Sequence, residues 1–160
     1  MASNSYIKFD GVEGESVTKD FKGAIEVLSW SWGLSNPAPK VGSGGGGGRA
    51  ARATPEQFTF THLYDKASPV LASLAAAGRH VKHAWFSARR SGAGQKDFLK
   101  VTMSDVLITG VHQDGYDDAI NETVTTSAAR ITFEYRPSDA KGSLGTAVTF
   151  DWDIVKNTVK

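Results

Sequence analysis

Through most of this 160-residue chain, apolar residues recur at every second position. That period belongs to extended strands with one buried face and not to helices. Tyr6 to Val12 places Ile7 and Phe9 on one face and Lys8 and Asp10 on the other. Ala24 to Leu34 sets Glu26, Leu28, Trp30 and Trp32 against Ile25, Val27, Ser29 and Ser31. Both of its faces are partly apolar, so this strand is expected inside the structure or between two packed surfaces. Phe58 and Phe60 begin a third strand running to about Leu63, and Val81 to Arg90 makes a fourth. Ser91-Gly92-Ala93-Gly94 then reads as a tight turn.

The later strands are longer. Between Phe98 and His112, Leu99, Val101 and Met103 share one parity, whereas Val106 and Ile108 have the other. A bulge near Ser104-Asp105 would return the apolar residues to one face. Asn121 to Arg136 carries Ile131, Phe133 and Tyr135 on one side, and Ala147 to Val155 carries Val148, Phe150, Trp152 and Ile154. One segment departs from the period. Ser68-Pro69, then Val70 to Ala77, then Gly78 predicts a short helix with Ser68 at the N-cap, Pro69 at N1 and Gly78 beyond its end. About seven strands and one short helix in a single domain over 1–160 make the chain mainly β, a small β-barrel or sandwich with the helix on its side or end.

Ser35 to Pro55 has no apolar period and holds Pro37, Pro39, Lys40, the run Gly44, Gly45, Gly46, Gly47, Gly48, and then Arg49 and Arg52. A loop that long inside a compact domain is usually functional or disordered. A phosphate-binding loop would need a Lys-Ser/Thr after the glycines and a helix to follow. Here Arg49-Ala50-Ala51 and a strand follow instead, which suits moulding onto another surface. A second loop, Gln113 to Ala119, is acidic through Asp114, Asp117 and Asp118.

Composition excludes several classes. Eighteen Lys and Arg stand against seventeen Asp and Glu, a formal charge of +1 that supplies no basic field for nucleic acid. There is no cysteine, hence no thiolate metal site, iron–sulfur cluster or thiol nucleophile. No apolar run is long enough to insert in a membrane as a helix, and Met1 to Asp10 lacks the basic cap and apolar run of a secretory leader. His62, His80, His83 and His112 show no metal-ligand spacing and read as surface or edge residues. Asp151 and Asp153 share a strand face, as an exposed amphipathic strand also would. No catalytic residue, cofactor or metal is expected. Trp30 and Trp32 read as core or as a subunit contact.

The motifs also fall in a telling order. Ile25-Glu26-Val27-Leu28 leads into Trp30-Ser31-Trp32-Gly33 and then the glycine-rich loop. Phe60-Thr61-His62-Leu63-Tyr64-Asp65-Lys66-Ala67-Ser68-Pro69 runs into the helix, Asn121-Glu122-Thr123-Val124 opens a late strand, and Phe150-Asp151-Trp152-Asp153-Ile154 lies near the end. With Tyr6-Ile7-Lys8-Phe9 and Gly11-Val12-Glu13-Gly14-Glu15-Ser16 at the start, this order resembles the haemolysin co-regulated protein (Hcp) family, the inner-tube subunit of type VI secretion systems.

The resemblance implies a β-barrel with one helix that assembles with itself into hexameric rings. Rings of the family stack into a hollow tube that a contractile sheath propels, a spike protein caps, and effector cargo occupies. It further implies assembly in the bacterial cytoplasm, followed by secretion or injection without a cleaved signal peptide. Ser35 to Thr54 corresponds to the family's extended loop, so Gly44 to Gly48, Arg49 and Arg52 are expected to meet a facing ring. Asp114, Asp117 and Asp118 are the candidate acidic positions opposite them. The alternative from a different class is a stand-alone β-barrel binding module for a small ligand, and size in solution separates the two.

Overall fold

The computed structural model describes residues 4–37, 52–90 and 96–160. Its main strands are β1 (Ser5–Phe9), β2 (Ile25–Val27), β3 (Ser29–Ser31), β6 (Phe58–Leu63), β7 (His80–Arg89), β8 (Asp97–Tyr116), β9 (Ala119–Tyr135) and β10 (Val148–Asp153). Three two-residue strands, β4 (Leu34–Ser35), β5 (Thr54–Pro55) and β11 (Thr158–Val159), complete the set, with one helix, α1 (Ser68–Ala77). Nine strands form one sheet, seven of them in the order β11-β10-β9-β8-β7-β1-β2 with β6 and β3 branching from β9, all in antiparallel pairs. The long β9 serves two partners in succession: residues Asn121–Thr126 pair with β6, and Arg130–Tyr135 with β10. β3 adds to the free side of β6. The fold is mainly β with one helix, as the alternation requires, and the sheet is not closed on itself.

The strand expected over Ala24 to Leu34 is two strands. β2 pairs with β1, whereas β3 pairs with β6, and between them the Leu28 N–H donates to the Thr61 carbonyl at 2.8 Å. Ile25 and Val27 face the core before the break; after it Trp32 packs against the core, and Trp30 covers Phe58 and Phe86 while its outer side stays exposed. The two apolar parities are therefore explained by a change of face at Leu28, not by burial of one strand on both sides.

The parity slip in β8 is also real, but it is not a bulge at Ser104-Asp105. Val81 pairs with Val106 and His83 with Ser104, and across β9 Val106 meets Ala128 while Ser104 meets Arg130, so the register is the same before and after. Asp105 takes a left-handed φ of 54°, and all three strands switch their buried parity together across the row of Lys82, Asp105 and Ala129. The register shifts lie elsewhere, at Ala88/Arg89 against β8 and at Ile108/Gly110 against β9.

The core collects Ile7, Phe9, Ile25, Phe58, Phe60, Phe86, Met103, Ile131 and Trp152, all fully buried. Helix α1 lies against β8 and buries Leu71. Its end matches expectation, since Gly78 adopts φ 63° and its N–H bonds to the Ala75 carbonyl. Its start does not. Asp65, not Ser68, accepts the exposed N–H, that of Ala67 at 2.9 Å, and the Ser68 hydroxyl accepts the Asp65 N–H at 3.1 Å. Together with the Ser68 N–H bonded to the Asp65 carbonyl at 3.0 Å, these bonds tie the turn that leads into the helix. The long loop is pinned at its base, where Leu34 pairs with Pro55 and Ser35 with Thr54.

Candidate functional site: exposed flanks and a buried polar cluster

The acidic segment expected as a loop is the tip of a hairpin. β8 and β9 stay paired to Tyr116↔Ala119, leaving only Asp117 and Asp118 as the turn, with Asp117 at φ 50°. Asp and Asn tolerate that conformation better than other L-residues. Residues 112–121 are all exposed, so this ribbon stands clear of the core and displays Tyr116 and Ile120 beside Asp114. Asp114 lies 3.4 Å from His112.

Of the loop residues, Gly44 to Gly48 and Arg49 lie outside the described residues. Arg52 is described, and its Nη2 donates to the carbonyls of Ile154 at 2.6 Å and Val155 at 3.0 Å. The tryptophans split their duties. Trp30 stacks on Phe58 with centroids 5.7 Å apart and tilts against Phe86 at 5.1 Å, yet stays 37% exposed. Trp32 sits between Phe133, at 4.9 Å, and Phe150, at 6.2 Å, and is half-buried.

Two hollows that share no lining residue are each bordered by exposed apolar side chains. At one, Leu28, Leu63 and Tyr64 border a cavity of about 210 Å³ that Glu15, Glu26 and Asp65 also line. At the other, Leu34 and Val159 border a groove of about 280 Å³ floored by Phe150 and Trp152. A chain that stays alone has little use for so much exposed aliphatic surface.

One polar cluster was missed by reading the sequence. His62 is fully buried, not at a surface or edge, and its Nε2 lies 2.9 Å from Oε1 of the equally buried Glu122. Gln113 Nε2 donates to the other Glu122 oxygen at 2.5 Å. The His62 Nδ1 has no hydrogen-bond partner and stands 4.0 Å from Asp65 Oδ1. Burial, more than any neighbour, holds the Asp65 carboxyl above its usual range; His62 pulls it down, and Glu15 and Glu122 push it up. The signal was available, because His62 shares the parity of the buried Phe58 and Phe60.

The other titratable groups described sit in local contacts. His80 and His112 are exposed beside Asp105 and Asp114, and His83 lies against Trp85 at 5.6 Å. Asp151 is held by Arg130 at 2.8 Å and by Thr132 at 3.2 Å, and the Arg130 hydrogen bond draws its carboxyl below the usual range. Asp153 accepts the Lys156 N–H. Among the described residues no group of three or more metal-binding side chains is placed to hold an ion, and no helix is long and apolar enough to cross a membrane.

Comparison with known proteins supplies the family. A family model described as "Type VI secretion system effector, Hcp" matches residues 6–135. Protein hcp1 of Pseudomonas aeruginosa is 34% identical over 161 residues, covering 98% of each chain. A solved structure of a type six secretion system protein superposes with a TM-score of 0.89 at 28% identity, over 99% of this chain and 100% of that one. Hcp1 from Salmonella typhimurium gives 0.80 at 30% identity over the full length of both. Matched by that family model and by a relative over 98% of each chain, the chain belongs to the Hcp family of type VI secretion proteins.

Proposed function

We propose that this chain is a structural subunit of the secretion machine's inner tube. Copies associate into hexameric rings, the rings stack into a hollow tube, and the tube carries effectors in its lumen and leaves the cell with them. The observation that carries this reading is the pair of unlike apolar flanks, Leu28, Leu63 and Tyr64 on one and Leu34 and Val159 on the other. A cyclic ring is built from heterologous contacts, in which one patch meets a different patch on the next subunit. Two distinct flanks are what that geometry needs. The sheath and the spike are the further partners of such a tube, and no enzymatic step or cofactor enters the reading.

Arg49 and Arg52, with Gly44 to Gly48, are proposed to meet the next ring, with Asp114, Asp117 and Asp118 on the facing surface. Because Arg52 already donates to the Ile154 and Val155 carbonyls, its part in this is to fix the foot of the loop. The test is mass in solution by light scattering at micromolar concentration. A ring runs at about six times the monomer mass. A monomer overturns the reading in favour of a stand-alone binding module.

A further inference from the structure

The cavity beside helix α1 is electrostatically unfinished. Glu15, Glu26 and Asp65 line it, and among the described residues no Lys or Arg side chain pairs with any of the three. The nearest candidate, Lys66, directs its Nζ to Glu13 at 3.7 Å. Among the described residues only backbone N–H groups reach the cluster, from Ala67 to Asp65 Oδ1 at 2.9 Å and from Lys66 to Glu15 Oε2 at 3.0 Å, and behind the Asp65 carboxylate sits the buried His62 Nδ1. Leu28, Leu63 and Tyr64 give the mouth an exposed apolar rim. A rim of that kind accepts the methylene stem of a lysine or arginine while the carboxylates hold its charged head.

The same chain carries the matching surface. Glu26 belongs to β2, at one end of the sheet's strand path, and β11 lies at the other end. Around β11 are Lys156 and Lys160, both exposed and neither ion-paired among the described residues, with the exposed valines 155 and 159 beside them. One end of the sheet therefore carries carboxylates outside any Lys or Arg pair beside an aliphatic rim, and the other, where Asp151 is taken up by Arg130, carries two lysines outside any ion pair beside an aliphatic rim. The near-zero net charge means that no long-range repulsion between copies opposes their meeting.

We propose that the Glu15–Glu26–Asp65 cavity receives Lys156 or Lys160 of a second copy of this chain, as an anchor of the subunit contact. The proposal deepens the ring reading and rests on it. Two opposed flanks joined head to tail in this way give a contact that repeats and closes. The exposed parts of the pairing weaken with salt, whereas the head seated in the cavity is screened less.

The experiment is a charge swap read by light scattering and by the concentration at which the assembly dissociates. Glu15→Lys with Glu26→Lys reverses the cavity, and Lys156→Glu with Lys160→Glu reverses the opposite end. All four side chains are exposed, and circular dichroism checks that each variant folds. Each double variant is expected to raise the dissociation concentration at least tenfold, and the quadruple variant, with both signs exchanged, to recover assembly. Doubles that assemble like the parent, or a quadruple no better than the doubles, overturn the cavity contact while leaving the ring intact. A parent chain that is monomeric overturns the ring reading itself, and the contact with it.

Discussion

His62 and Glu122, sixty positions apart, meet 2.9 Å from each other with neither side chain exposed to solvent. The contact fastens β6 to β9 at the root of the standing hairpin, and Gln113 on β8 joins it through the second carboxylate oxygen. Glu122→Leu leaves the buried His62 Nε2 without its partner, a loss of about 1–3 kcal/mol. Glu122→Gln keeps an oxygen toward His62 and is expected to lose less. Urea denaturation at one fixed protein concentration compares them; equal losses would mean that packing, and not the hydrogen bond, is what the site provides.

Acid acts on this fold in two opposite ways. Hydrogen bonds from Arg130 and Arg89 hold Asp151 and Asp20 below the usual carboxyl value of 3.8. Such groups contribute stability above 3.8 that is lost as pH falls through their lowered values. Asp65 is raised by burial, so its ionisation disfavours the fold at neutral pH, and stability returns as pH falls through the raised value toward 3.8. Melting temperature is therefore expected to climb between neutral pH and 3.8 and to fall below it. Asp65→Asn, which retains an acceptor for the Ala67 N–H, should flatten the climb and leave the fall unchanged.

Gly14 has no room for a side chain. A Cβ there would lie 2.4 Å from the Ala24 carbonyl oxygen and 2.9 Å from the Ile25 nitrogen, both backbone atoms that cannot turn aside. Gly14→Ala must push the 12–17 segment off the start of β2, at about 1–3 kcal/mol. Gly115, on the exposed hairpin, has nothing within 4 Å of the same position. Gly115→Ala is expected to change stability by less than about 0.5 kcal/mol. Thermal melts of the two variants side by side provide the check.

Deleting Gly44 to Gly48, or reversing Arg49 and Arg52 to Glu, is expected to leave rings of parental mass that no longer form tubes or support secretion. Exposed ion pairs contribute only about 0.2–1 kcal/mol each, so the effect depends on repetition around the ring. Electron microscopy of the assembled protein, with light scattering of the rings, reads both properties. Loss of the rings themselves would place the loop in the ring contact instead.

Alternation made the strands legible, and Pro69 with Gly78 marked the helix. What escaped the sequence was where a strand changes face. Leu28 looks like any member of its run, and only the change of partner from β1 to β6 explains why Ile25 and Trp32 both pack on the core. The slip in β8 was visible, but a single strand cannot reveal that β7 and β9 slip with it and so preserve the register. His62 was legible by parity and was passed over because polar residues are ordinarily exposed. The cavity beside α1 was invisible for another reason: Glu15, Glu26 and Asp65 come from three separate parts of the chain.

The uneven distances bridged by these ladders also set a timetable. Tyr116 and Ala119 need close only a two-residue turn before the ribbon can zip toward Leu99 and Tyr135, whereas Ser5 must find Ala88. Closing the longer span costs about 3 kcal/mol more in chain entropy, before any contact offsets it. The hairpin is accordingly expected to be native-like in the folding transition state and the β1–β7 pairing to come late, so that substitutions at Leu107 or Ser127 slow folding while substitutions at Ile7 hasten unfolding. Until that last pairing forms, β1 and β7 each present an unpaired edge, and a newly made subunit is most vulnerable to clumping in that interval.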